Sequence, residues 1–498
     1  MTPTFFGLII AVVGLVLMVR FSLAPMLWLT MLCALFGGSA AILLPALGGA
    51  SVPPVQFALA FFAARCLLPG SGQRAAVTDG LRANLFLGAF TIYGLITAMI
   101  ASRLFAGTVE VVALRYKPAW DLFATTPLVF SPSNITTSVY LVGTFLLSVL
   151  TYTALRDRTQ ALRFVNVAVI VAWIHMFFGV SGAVLKGTPY DLFISAIRNA
   201  NYAQLDQTLG GLVRINGVHP EPSSYAAFAF DWFVLLFECW IRNILPRRTG
   251  PAAAAMVLVL LFTTSSTAYV TLAIYAVLFI IRIVILPHSL PVRKGVALIA
   301  AALLAVIAVA LTALLVPQVA STLWRLLQYL TIEKQDSESG LQRGFWAKIG
   351  LDAFVASWGI GVGPGSFRSS TLTTAMIGSV GVFGTAMFVL HVLRVIKPMR
   401  ITTYFGNPAR MGVAADREML IGAAASWAVV AALIQASLIA PTCDPGTDFG
   451  LFGGAALALR SVRRLHPAAS PPVPLADYAH VDLGWPHQLP SYPTRPGA

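Results

Sequence analysis

Residues 164–186 read FVNVAVIVAWIHMFFGVSGAVLK, and no Asp, Glu, Lys or Arg stands between Arg163 and Lys186. A bilayer's hydrocarbon core is about 30 Å thick, so roughly 20 apolar residues in a helix cross it. Hydrocarbon offers no partner to a backbone N–H or C=O, and a helix pairs these groups within its own segment. The stretch is therefore predicted to be a membrane-spanning helix. Outward from it, the same reading gives spans near 4–19, 23–46, 54–69, 84–105, 134–155 and 222–241, then 295–316, 374–396, 418–440 and 447–460. The apolar stretch 252–286 is interrupted by Thr263-Thr264-Ser265-Ser266-Thr267 and reads as two short helices meeting at a polar break. The predicted fold class is an all-α polytopic membrane protein with about 12–13 transmembrane helices.

Composition agrees. Only 10% of the residues are charged and 58% are hydrophobic, whereas a soluble domain carries about 25% charged residues. The N-terminal stretch lacks a basic leader and runs into further apolar segments, so the first segment is expected to be retained. Cys33, Cys66, Cys239 and Cys443 lie far apart in sequence and read as small core residues. The net charge of +14 could suggest nucleic acid. Its distribution points elsewhere: roughly two thirds of the Lys and Arg fall on one side of the alternating spans, as the positive-inside bias requires. That places the N-terminus outside, the C-terminus inside, and two long loops, 187–221 and 317–373, outside. Residues 1–464 form the membrane domain, and the Pro-rich tail 465–498 reads as a disordered inner end.

The first outer loop ends in Arg214-Ile215-Asn216-Gly217-Val218-His219-Pro220-Glu221-Pro222-Ser223-Ser224-Tyr225. Pro222 is a helix-start signal, and a carboxylate at Glu221 suits the positive end of the helix dipole. A plain capping role accounts for Glu221 taken alone. The second loop carries Arg343 and Trp346, then Gly359-Ile360-Gly361-Val362-Gly363-Pro364-Gly365-Ser366-Phe367-Arg368-Ser369-Ser370. Gly361, Gly363 and Gly365 admit two readings. They form either an anion-binding nest of backbone N–H groups or a re-entry turn with Ser369 or Ser370 as N-cap. Arg214, Arg343 and Arg368 all fall outside and beside membrane segments. Their planar forks suit bidentate binding of a pyrophosphate on a lipid. Within the 222–241 span, Glu238 is expected to pair with Arg242 at i,i+4, and Asp231 reads as a polar residue of a cavity floor. No His/Cys/Asp cluster has metal-ligand spacing, so no metal or other cofactor is expected.

Three stretches together carry a family resemblance. Arg214…Gly217…Glu221-Pro222-Ser223 resembles the R-x-x-G-x-x-x-E-P-S pattern of exopolysaccharide polymerases. LLFTTSSTAYVTLAIYAVLF at 260–279 resembles an L-T-x-S-x-x-A segment. Arg343…Trp346, GVGPGSFRSS and IGSVGVFG resemble a last large periplasmic loop and the helix after it. In that order they resemble the O-antigen polymerase and O-antigen ligase superfamily, over about 205–395. Ligases have a His-Asn pair where this chain has Arg368-Ser369-Ser370, and Ser-Arg where it has Thr264-Ser265-Ser266. Both departures favour a polymerase.

The resemblance implies a multi-pass enzyme of the bacterial inner membrane, with its N-terminus periplasmic and its C-terminus cytoplasmic. It implies polymerisation of undecaprenyl-pyrophosphate-linked repeat units without a metal. Chain-length regulators and export machinery are the expected protein partners, and nucleic acid is not one. Arg214, Arg343 and Arg368 would hold the pyrophosphate. Glu221 is the first choice for the base that activates the acceptor hydroxyl, and His219 the second. Ligase-type transfer to another acceptor, a lipid-linked oligosaccharide transporter and a non-catalytic scaffold remain the alternatives.

Overall fold

The computed structural model describes residues 2–19, 22–45, 49–68, 71–114, 123–157, 159–200, 208–209, 212–285, 290–315, 338–396 and 417–461. Sixteen helices account for most of them. In chain order they are α1 (Phe5–Val19), α2 (Ala24–Ala34), α3 (Pro54–Leu67), α4 (Arg74–Ala83) and α5 (Leu85–Leu104). Next come α6 (Pro132–Leu155), α7 (Gln160–Val184), α8 (Tyr190–Ile197), α9 (Pro222–Ile241), α10 (Pro246–Phe262) and α11 (Ser266–Ile285). The last five are α12 (Val292–Leu315), α13 (Glu338–Ala356), α14 (Leu372–Ile396), α15 (Arg417–Ile439) and α16 (Thr447–Ser461). A small antiparallel sheet joins Thr2–Pro3, Ile42–Leu44 and Ala50–Val52.

Eight helices have the length and composition to cross a membrane: α5, α6, α7, α9, α11, α12, α14 and α15. The other expected spans exist as shorter helices. The clearest departure is 23–46, where α2 ends at Ala34. Gly37 and Gly38 then turn the chain, and the Gly38 amide donates to Val218 O at 2.9 Å. The two long loops are not plain loops either. The first contains α8 and the second contains α13. Residues 317–337 and the tail 465–498 lie outside the described residues.

Helix α9 is the hub and is buried along almost its whole length. It packs against α7, α10, α11 and α15. Near its far end the expected Glu238–Arg242 pair is present, and Arg282 and Tyr275 of α11 join it. Arg282 Nη1 lies 2.9 Å from Glu238 Oε1, and the Tyr275 hydroxyl donates to the same oxygen at 2.5 Å. A buried carboxylate needs such partners, since an unpaired charge in this setting costs several kcal/mol. Helix α12 is the opposite case: none of its described side chains is buried.

Two helices are broken. The polar stretch at 263–265 separates α10 from α11, as its sequence predicts, and Thr264 turns the chain at φ 50°. Helix α14 is kinked at Gly381, with φ 58° and ψ −158°. Breaks strand backbone groups, and the glycine-rich segment before α14 satisfies them. Val362 N–H donates to Gly378 O, Gly363 N–H to Ser379 O and Val382 N–H to Gly359 O, each at 2.9 Å.

Candidate functional site

Glu221 immediately precedes α9 with an extended backbone, φ −152° and ψ 161°. It forms a capping box with Ser224, whose Oγ accepts from the Glu221 N–H at 3.3 Å. Ser223 Oγ donates to Glu221 Oε1. The carboxylate therefore sits at the positive end of the α9 dipole. The residue remains half-buried instead of sinking into the bundle.

Arg368 comes to the same place from the far side of the glycine turn. Its N–H donates to Val112 O at 2.9 Å and its Nη1 to Leu114 O at 3.4 Å. Its guanidinium lies 4.4 Å from the centre of the Trp346 ring, a cation–π stack. Burial weakens its hold on the proton relative to an ordinary arginine, and the Glu221 charge opposes that loss. Arg343 lies one turn before Trp346 on α13, and its carbonyl accepts from Ser370 Oγ at 2.7 Å. Glu221, Arg368, Trp346, Ser370 and the backbone of Arg343 thus converge, although they come from three separate segments.

Arg214 reaches a different feature. Its Nη2 donates to Thr264 O at 3.2 Å, tying the approach to α9 to the break between α10 and α11. Two stretches singled out in the sequence meet there.

His219 turns inward and is 4% exposed. Its ring stands 5.2 Å from His175, 5.8 Å from Tyr225 and 5.3 Å from Phe228, centre to centre. Burial, aided by the charge of Arg198, pushes its pKa down to about 3. It is neutral at pH 7 and a weak proton acceptor.

Gly361, Gly363 and Gly365 adopt φ of 91°, 98° and 81°, open to glycine and strained for other residues. The amides of Gly361 and Gly363 are already bonded, to Ser357 Oγ and to Ser379 O. A Cβ at Gly363 would meet Thr97 O at 2.5 Å, and one at Gly365 would meet Ser133 O at 2.3 Å. Of the two sequence readings, this geometry realises the turn, which serves as a packing junction for α5, α6 and α14. The N-cap of α14 is Thr371, whose Oγ1 accepts from Thr374 N–H at 3.2 Å, and not Ser369 or Ser370.

Two residues at the site were not singled out as functional from the sequence. Arg198 follows α8 and donates from Nη2 to Pro220 O at 3.4 Å, one residue before Glu221. Trp346 supplies the surface under Arg368. The signal for Trp346 was its spacing of three from Arg343 on a helix; Arg198 had no motif of its own. Asp231 is buried in mid-helix, and its neighbour Trp232 donates from Nε1 to Asp448 Oδ1 at 3.4 Å. Asp231 lies ten residues beyond Glu221 along α9, about 15 Å at the helical rise, and so stands apart from the Glu221 cluster. Among the described residues no group of three or more His, Cys, Asp or Glu could hold a metal. No protein-family model matches the chain, and no curated protein matches it.

Proposed function

We propose that this protein is a membrane glycosyltransferase that polymerises undecaprenyl-pyrophosphate-linked oligosaccharide repeat units at the periplasmic face of a bacterial inner membrane. One observation carries the reading most: a half-buried carboxylate, Glu221, lies within electrostatic reach of the Arg368 guanidinium at the head of the central helix. This is the pairing that glycosyl transfer from a pyrophosphate needs. Glu221 takes the proton of the acceptor hydroxyl as that oxygen bonds to the anomeric carbon of the donor sugar. The bond from that carbon to the pyrophosphate oxygen breaks, and the lipid pyrophosphate departs with the electron pair. Arg368 and Arg343 compensate the charge that develops on it. A base of this kind contributes about 10²–10⁴-fold in rate.

His219 is the poorer candidate for the base, because its ring is buried among aromatic groups and holds a proton only below about pH 3. Arg214 holds the Thr264 carbonyl and so keeps the α10–α11 break beside the segment leading to Glu221.

The test is deletion of the gene, followed by analysis of the surface glycan and the lipid-linked pool. Long polymer is expected to disappear while single lipid-linked repeat units accumulate. Unchanged polymer length and amount would overturn the proposal.

A further inference from the structure

Helix α8 lies outside the spanning segments, yet its side chains divide into three groups around the axis. At 100° per residue, Tyr190, Ile194 and Ile197 fall on one side. That side faces the protein: Ile194 is buried, and the Tyr190 hydroxyl lies 2.7 Å from Ser181 Oγ of α7. Asp191 and Ser195 fall on a second side, where Asp191 accepts from Gly187 N–H at 2.7 Å. Leu192, Phe193 and Ala196 fall on the third, and there Leu192 is 75% and Phe193 52% exposed. A helix between protein and water needs two faces. A third, apolar and exposed, face calls for a third medium.

The neighbouring helix says which medium. Along α7 the exposed large residues are Ile170, Trp173, Phe177, Val180 and Val184, spaced by three and four. That is one continuous stripe on a helix long and apolar enough to span a membrane. The stripe runs to the end of α7, and α8 follows after a short turn.

We propose that α8 is an interfacial helix, with its Leu192–Phe193–Ala196 face set among the acyl chains of the leaflet next to the 217–221 turn. Its Asp191–Ser195 face then meets the headgroups and water, the arrangement of a helix lying in a membrane surface. The occupant of the exposed face is bilayer lipid. The far end of α8 is stapled to the functional turn. Arg198 donates to Pro220 O, Asn199 Oδ1 accepts from Ala40 N–H at 2.7 Å, and Gly38 N–H donates to Val218 O. The depth of α8 in the leaflet is thereby passed to the backbone preceding Glu221. The lipid placement does not rest on the glycan reading.

The test uses the full chain in nanodiscs of phosphatidylethanolamine and phosphatidylglycerol, where both membrane faces are accessible. Leu192→Cys, Phe193→Cys and Ser195→Cys are each spin-labelled; the four native cysteines are buried. Collision rates with oxygen, which concentrates in lipid, are compared with those of a water-soluble nickel complex. Oxygen is expected to exceed nickel several-fold at 192 and 193, and the order is expected to reverse at 195. Nickel exceeding oxygen at all three positions would put α8 in water and overturn the proposal. Spin–spin broadening at 193 would do the same, showing that a second copy of the chain covers that face.

Discussion

The Glu221 carboxylate and the Arg368 guanidinium, far apart in the chain, come within electrostatic reach of each other, so that the acid opposes the loss of the arginine's proton that burial favours. Glu221 is held by the start of α9 and Arg368 by the end of the glycine turn. Neither position alone exceeds an ordinary structural role. Their meeting is what makes a charge-balanced site.

Glu221→Gln separates capping from chemistry. As a carboxylate at a helix start, Glu221 is worth about 0.3–1 kcal/mol through the dipole. Protein level in the membrane should therefore barely change. As a base it is worth about 10²–10⁴-fold in rate. Polymer is expected to fall by that order at matched abundance, measured beside His219→Ala. Normal polymer from Glu221→Gln with none from His219→Ala would move the base to the histidine.

Arg368→Lys keeps the charge and removes the planar fork that lies over Trp346. Activity is expected to drop nearly as far as in Arg368→Ala, and Arg343→Lys should behave alike. Full activity in the lysine variants would leave only a generic positive charge at the site.

The glycines make a contrasting pair. Gly363→Ala forces a side chain onto φ 98° and against Thr97 O, so a loss of more than about 1 kcal/mol is expected. At Gly344, within α13, an added Cβ would meet nothing within 4 Å. Gly344→Ala should therefore stabilise by about 0.5–1 kcal/mol through helix propensity. Thermal unfolding of both purified variants in detergent checks the two signs at once.

Acid should destabilise the protein through His219. Its imidazole takes up a proton near 6.5 when unfolded and only near 3 when buried. The stability that rests on the neutral ring is complete above pH 6.5 and is lost as the pH falls toward 3. The slope is about 1.4 kcal/mol per pH unit for one proton. In His219→Gln the melting temperature should fall less steeply across that window. Parallel pH profiles for the two proteins would contradict this.

Reporter fusions after residues 210, 340 and 480 address the topology. Alkaline phosphatase is expected to be active at the first two and silent at the third. The basis is the excess of Lys and Arg on the opposite side of the spans. Activity at 480 would invert the scheme.

The sequence by itself determined that the chain is mostly helical and carries helices long and apolar enough to cross a membrane. The length of an apolar run is a local property, and lipid leaves the backbone no other way to pair. It also determined the α10–α11 break at Thr263–Ser265 and the Glu238–Arg242 pair, since both depend on residues within a turn or two of one another. Only the tertiary structure decided that α2 stops at Ala34, where a glycine turn docks on Val218. It alone brought Arg282 to Glu238, Trp346 under Arg368 and Arg198 to Pro220. The reason is physical. In a soluble helix the apolar stripe marks the packed face. In a membrane helix the lipid-facing side is as apolar as the packed side, so the pattern does not say which neighbour each face will find.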